Sequence, residues 1–359
     1  MSLFIKYPTW MSPFVFPNTT IFRWYSLMYL VAFVTAWLLL LQIFKKDESR
    51  LTVGIKDKKD RVNLATDLVV YVAIGLVLGA RLGSVLIYSG SFYYKHPWLI
   101  FWPFQNGKFV GLPGMSYHGG VVGAIIAGLI YSKVKKVSFW DIADTLVCVI
   151  PFGYTWGRLG NFFNAELYGR VTASPLGMLF PDSSTEWVDS SLPWIKDVMD
   201  KVGIESASRY VNLPRFPSQL YEAFFEGIVV GAIMWFVVRP RLKKIRPGSA
   251  LGLYLCLYGF ARFFIEYLRE PDRNLGYIIA LGPGGDRIEV FTSILNISMG
   301  QILCFIMIVA GLGLILWAKW HSKNLLKAGV TSKDNIQISA NATNKVVPPK
   351  KKKNKNKKR

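Results

Sequence analysis

The chain has 359 residues, 52% of them hydrophobic and only 18% charged, and its apolar residues run in long uninterrupted blocks rather than at amphipathic spacing. A helix needs about 20 apolar residues to cross the hydrocarbon of a bilayer, and several windows reach or approach that length, which excludes an ordinary soluble domain. The formal charge of +21 does not point to nucleic acid, because much of it sits in the tail Lys350 to Arg359 and in short loops between apolar blocks, where it reports topology.

In chain order, membrane helices are expected over residues 24–43, 64–88, 115–132, 139–156, 218–238, 251–267 and 299–318, the third and fourth being short enough to be tilted, broken or partly re-entrant. Neither a basic lead nor a small-residue cleavage pattern precedes the first, so that helix is expected to be retained. Lys45, Lys46, Arg50, Lys56, Lys58, Lys59 and Arg61 follow the first helix, Lys133, Lys135 and Lys136 the third, and Arg239, Arg241, Lys243, Lys244 and Arg246 the fifth. Basic loops stay cytoplasmic, so the N-terminus is expected outside and the C-terminus inside. The third helix carries Gly119, Gly123 and Ala127 on one face and Gly120, Ala124 and Gly128 on the next, a spacing that lets helix backbones approach closely.

Residues 164–217 are mixed in polarity with Pro, Gly and Asp turns, and read as a small folded extracytoplasmic cap. From about Lys323 apolar periodicity stops. Residues 323–359 therefore read as a disordered polybasic cytoplasmic tail attracted to anionic membrane lipids, and 1–322 as the membrane domain. Cys148, Cys256 and Cys304 lie inside apolar blocks without metal-site spacing and are expected as buried thiols free of disulfides. The fold class expected is thus an all-α integral membrane protein, a seven-helix transmembrane bundle with a cap and a tail.

A charge inside a membrane segment is costly unless it lines a polar cavity or has a partner. With this topology, six helices bring polar groups to one outer level. These are Tyr25 on the first, Arg81 on the second, His118 on the third, Arg158 at the end of the fourth, Ser218, Gln219, Tyr221 and Glu222 opening the fifth, and Tyr258, Arg262 and Glu266 along the sixth. The last three are spaced four apart and share a face, so a hydrogen-bonded ladder is expected, with a purely structural Arg262–Glu266 pair as the plainer alternative. Arg158 is read as a second, unpaired arginine beside it. The run 157–170 combines a helix end, glycines suited to unusual backbone angles, and Asn161, Glu166 and Arg170. Two guanidiniums at that depth suit a phosphate diester, because each donates paired hydrogen bonds and keeps its charge when desolvated. His118 is one of three histidines and the one in this cluster. Packing is a commoner role for a lone histidine, but a pKa of ~6.5 suits it to proton removal.

Several blocks together carry a family resemblance: Arg23-Trp24-Tyr25-Ser26-Leu27-Met28-Tyr29, Gly114-Met115-Ser116-Tyr117-His118-Gly119-Gly120, the run 157–170, and Pro217-Ser218-Gln219-Leu220-Tyr221-Glu222. Tyr258-Gly259-Phe260-Ala261-Arg262, Glu266 with Arg269-Glu270-Pro271-Asp272, and Ser298-Met299-Gly300-Gln301 continue it. In this order they resemble the bacterial phosphatidylglycerol:prolipoprotein diacylglyceryl transferases over residues 22–318. Ala165 stands where that family usually carries Gly, which suggests a backbone position needing no positive φ. The basic tail lies outside the shared core, and residues 178–212 look variable.

The resemblance implies a transferase of lipoprotein biosynthesis in the bacterial plasma (inner) membrane. It would move the diacylglyceryl group of phosphatidylglycerol to the lipobox cysteine of a prolipoprotein signal peptide, forming a thioether and releasing glycerol phosphate. In that scheme His118 removes the thiol proton, directly or through water, Arg158 and Arg262 hold the phosphate, and Tyr258 donates a hydrogen bond. Tyr25, Asn161, Glu166, Gly169 and Glu266 bind or orient, and Arg81 guides the headgroup. No cofactor or metal is expected, because the arginines supply the positive charge.

A transporter or flippase is the rival class, with polar groups in both leaflets; Asp141 and Asp144 near the inner end of the fourth helix are unexplained by the enzyme reading. An intramembrane serine protease fits poorly, since Gly114-Met115-Ser116-Tyr117 does not make the required nucleophile turn.

Overall fold

The computed structural model describes residues 4–8, 10–16, 23–88, 92–105, 107–109, 114–181, 187–271 and 274–327. We label its main helices α1 (Trp24–Lys45), α2 (Lys58–Tyr88), α3 (Tyr117–Lys135), α4 (Phe139–Leu146), α5 (Ile150–Phe163), α6 (Pro193–Val202), α7 (Ser218–Arg241), α8 (Ser249–Ile265) and α9 (Met299–Lys327). Among the described residues, four helices, α1, α2, α7 and α9, are long and apolar enough to cross a membrane by length and composition. The protein is a helical membrane protein.

Local chemistry sets the helix limits. The Ser116 hydroxyl accepts the Gly119 N–H and starts α3, which ends at Lys136 in the left-handed region. The segment expected as one helix over 139–156 is two. Pro151 lacks an N–H and clashes with a preceding turn, so it opens α5 as a new helix rather than continuing α4. Because α5 runs on to Phe163, Arg158 and Asn161 lie within helical turns and not at a helix end. At the other end of the chain, α9 continues past Lys323 to Lys327. The disorder and lipid attraction expected of the basic tail fall on residues 328–359, outside the described residues.

The chain divides into two compact units, one of Met1–Leu38, Val147–Val238 and Gly248–Trp317, the other of Leu39–Leu146, Arg239–Pro247 and Ala318–Arg359. In the second unit the small-residue face of α3 meets a matching face of α2. A Cβ on Gly79 would fall 2.7 Å from the Gly123 Cα, and one on Gly83 2.7 Å from the Gly119 Cα, so the two backbones touch where only glycine permits. Asp141 and Asp144 of α4 are both buried and both paired with Arg50, at 2.5 Å each. Arg50 also donates to the backbone carbonyls of Leu242 and Ile245. These two aspartates anchor a loop, which removes the feature that favoured a transporter.

In the first unit Val171, Val188, Ile195, Met199, Val202, Val211 and Leu213 form an apolar core against which Phe4 and Val290 also pack. Val188–Asp189 pairs antiparallel with Tyr210–Val211, and Ile5–Lys6 pairs parallel with Met178–Leu179. All three cysteines are free; Cys148 and Cys304 are buried, whereas Cys256, expected buried, is half-buried because its side of α8 is only partly covered.

Substituting Gly79→Val is expected to wedge α2 from α3 and lower stability by roughly 1–3 kcal/mol. Arg50→Ala strands two buried carboxylates, for a loss of about 3–5 kcal/mol. Thermal melting of the detergent-solubilised protein checks both, with the exposed Leu86→Ala as the unshifted comparison.

Candidate active site

Three helices of the first unit each present a polar stripe in an otherwise apolar sequence. On α5, Tyr154, Arg158 and Asn161 follow at helical spacing; on α7, Glu222 and Glu226; on α8, Tyr258, Arg262 and Glu266. Gly227 lets α7 approach α5 at this level, since a Cβ there would lie 3.0 Å from the Thr155 Cβ. From Ala223 to Val229, α7 winds as a π-helix, a departure from α geometry that recurs at functional sites.

The stripes meet at Glu222, which is completely buried. One of its oxygens, Oε2, lies 2.9 Å from Arg158 Nε and 2.8 Å from Arg262 Nη1. Its other oxygen accepts from Arg269 Nη1 at 3.4 Å. Arg262 also pairs with Glu266 at 3.0 Å and stands 3.6 Å from Glu226. Tyr154 donates its hydroxyl to Glu226 at 2.5 Å, and its ring lies under the Arg158 guanidinium at 4.8 Å. The two arginines expected to hold phosphate are therefore together, with side chains 18% and 15% exposed. Arg158 is not the unpaired arginine anticipated: a guanidinium in so apolar a setting requires a counter-charge, and Glu222 provides it.

In the expected Tyr258–Arg262–Glu266 ladder, Arg262 and Glu266 pair directly. Glu266 is fixed by Arg262 and by the Ser298 hydroxyl at 3.2 Å. Gly300 makes room for its carboxylate. Tyr258 stands edge-on to the Tyr154 ring, centroids 5.6 Å apart. Toward the end of α5, Arg158 donates to Asn161 Oδ1 at 3.3 Å and Asn161 donates to Glu166 at 3.0 Å. Tyr25 bonds the Tyr29 hydroxyl at 2.9 Å and lies within electrostatic range of Glu166 and Arg158.

Two expectations about the 157–170 run are overturned. The unusual backbone angles fall not on its glycines but on Ala165 and Leu167, with φ of 52° and 56°. Ala165 N–H bonds Phe162 O and Glu166 N–H bonds Asn161 O, the double bond of a helix C-terminal motif whose left-handed position normally belongs to glycine. Ala165 thus does adopt positive φ, because satisfying the last carbonyls of α5 outweighs the strain. Gly169 is demanded by close approach instead: a Cβ there would lie 3.0 Å from Phe216 O, and its N–H bonds that same oxygen. It packs three strands of backbone, with no side chain of its own to offer a ligand.

Arg81 and His118 belong to the second unit. Arg81 is buried and donates to Ile100 O, Gly114 O and the Tyr93 hydroxyl, so it fastens the 92–114 segment to α2; a role guiding a headgroup does not follow from these contacts. His118 is exposed on the first turn of α3, its ring edge-on to Tyr117. Tyr154 and Glu226 do not figure in the sequence reading, which quotes Glu222 and Arg269 without giving them a role. The available signal was the Glu222/Glu226 pair four apart in an apolar window, which demands cationic partners.

Long apolar helices and a buried arginine–carboxylate cluster define a helical membrane protein. The family model for prolipoprotein diacylglyceryl transferase matches residues 13–317. The phosphatidylglycerol–prolipoprotein diacylglyceryl transferase of Treponema denticola is 43% identical over 333 residues, 90% of this chain and 97% of that protein. That of Treponema pallidum is 42% identical over 336 residues, 90% and 98%, and that of Chlorobaculum tepidum 38% over 322 residues, 88% and 93%. The chain belongs to the prolipoprotein diacylglyceryl transferase family and is a transferase.

Relief of the left-handed strain makes Ala165→Gly stabilising by roughly 0.5–1 kcal/mol after the extra chain entropy of glycine is subtracted, and Ala165→Val clearly destabilising. Melting temperatures of the two variants, moving in opposite directions, are the check.

Proposed function

We propose that the protein transfers the diacylglyceryl group of phosphatidylglycerol to the lipobox cysteine of prolipoprotein signal peptides. The thiol sulfur attacks the glyceryl carbon that carries the phosphoester, the C–S bond forms as the C–O bond breaks, and glycerol phosphate departs. The observation that carries this reading is the meeting of Arg158 Nε and Arg262 Nη1 on a single Glu222 oxygen, at 2.9 and 2.8 Å. Two forks converging on one anionic oxygen have the geometry to hold a phosphate oxygen in its place and to stabilise the charge that grows as the ester oxygen leaves.

Arg158 and Arg262 act as the phosphate clamp. Tyr258 donates to the phosphate, while Asn161 and Glu266 orient the clamp, and Tyr25 and Glu166 line its approach. Gly169 keeps the backbone beside it in place and Arg81 holds the segment before α3. His118, whose imidazole is exposed, takes the thiol proton, directly or through water. A thiol of pKa ~8.5 needs such a base to become a nucleophile near neutrality.

The reading has the chain cross the membrane seven times, from the lengths of its apolar blocks. Support for the orientation comes from the basic residues after α1, α3 and α7, which belong in the cytoplasm and put the N-terminus and the folded segment 164–217 outside the inner membrane. Residues 1–322 form the catalytic domain, and the lysines of 323–359 attract anionic lipids without taking part in catalysis.

Purified protein given phosphatidylglycerol and a lipobox peptide is expected to add one diacylglyceryl group to the cysteine, read by mass spectrometry. Arg158→Ala abolishes the adduct while the protein still elutes as a folded species, and Lys351→Ala leaves the rate unchanged. Adduct formation at the full rate by Arg158→Ala defeats the clamp.

A further inference from the structure

The clamp contains its own anion. Arg158, Arg262 and Arg269 surround Glu222, and Glu226 and Glu266 lie against Arg262 as well. With all six groups ionised, three positive and three negative charges cancel within one buried cluster. A site designed only to attract phosphate has no use for this balance, since every carboxylate weakens the pull on an anion. Bare arginines, however, favour whichever phosphate carries more negative charge.

Substrate and product differ in that respect. A phosphodiester carries one negative charge at every pH near neutrality, whereas the glycerol phosphate released is a monoester whose second proton leaves near pH ~6, giving it nearly two. We propose that Glu222, assisted by Glu226, is a charge-selectivity residue that lets the clamp accept a singly charged phosphodiester and expel the doubly charged phosphomonoester. The inference rests on the transfer reaction proposed above.

Geometry supports a displaceable carboxylate. Glu222 Oε2 occupies the point where both forks converge, so an arriving phosphate oxygen takes its place on Arg158 and Arg262. Oε1 already touches Arg269 Nη1 at 3.4 Å, which offers the carboxylate a cationic partner while displaced. Tyr154, 3.3 Å from Oε2 and 2.5 Å from Glu226, gives a hydroxyl to whichever carboxylate needs it. After transfer, the extra charge on the product strengthens its repulsion by Glu222 and Glu226, and Glu222 returns to the two arginines.

The test is product inhibition and product binding by the full-length protein in detergent, with glycerol phosphate as the probe. Wild type is expected to be inhibited weakly, and more weakly as pH rises from 5.5 to 7.5 and the monoester becomes a dianion. Glu222→Gln keeps the side chain's shape and removes its charge; glycerol phosphate should then inhibit and bind about tenfold more tightly or better, and more tightly at high pH, reversing the trend. Glu226→Gln, which leaves the Arg158–Glu222 bond intact, should shift both in the same direction and serves if Glu222→Gln does not fold.

Calorimetric titration with glycerol phosphate gives the affinity without turnover. Unchanged inhibition and affinity in the folded variants, with the wild type still making the diacylglyceryl adduct, overturns the charge-selectivity role alone. Absence of the adduct from wild type refutes the underlying reaction instead.

Discussion

Guanidinium groups cannot stay in an apolar helix bundle without counter-charge, and the interior of this protein is arranged around that requirement. Glu222 meets it for Arg158 and Arg262 at once, through a single oxygen, and for Arg269 through the other. Without that carboxylate the two helices bearing the arginines would repel each other across α7. With it, α5, α7 and α8 are drawn into one cluster of close ion pairs.

The surrounding architecture serves this contact. Gly227 brings α7 against α5, and Gly259 and Gly252 bring α8 against α9, where Gly300 leaves space for the Glu266 carboxylate. Ser298 then fixes Glu266, and Glu266 fixes Arg262. A substituent at Gly300 would displace the Glu266 carboxylate, and one at Gly227, Gly252 or Gly259 would push a helix away.

The chain uses arginine in two distinct ways. Arg81, Arg170 and Arg215 are nearly inaccessible. Arg170 donates to Arg269 O and Val290 O and covers the Tyr277 ring, and Arg215 bonds Glu270 and Gly169 O. These are struts, tied to backbone carbonyls and, in Arg81 and Arg215, also to a tyrosine hydroxyl and a carboxylate. Arg158 and Arg262 retain some accessibility and face carboxylates, Glu222 for both and also Glu226 and Glu266 for Arg262, while Asn161 accepts from Arg158.

Sequence alone determined that this is a helical membrane protein, where its apolar helices lie, and that the small-residue face of α3 is a packing face, because hydrophobic length and residue size are local properties. It also singled out Arg158, Arg262 and Glu266, since charge within an apolar block is visible without coordinates. Only tertiary structure decided the partners. Glu222 takes both arginines, Asp141 and Asp144 belong to Arg50, and Gly169 serves backbone packing, because such pairings join residues far apart in the chain and depend on how helices rotate against one another. The left-handed Ala165 was hidden for a related reason: its conformation is imposed by the capping of α5, and nothing in an alanine announces a positive φ.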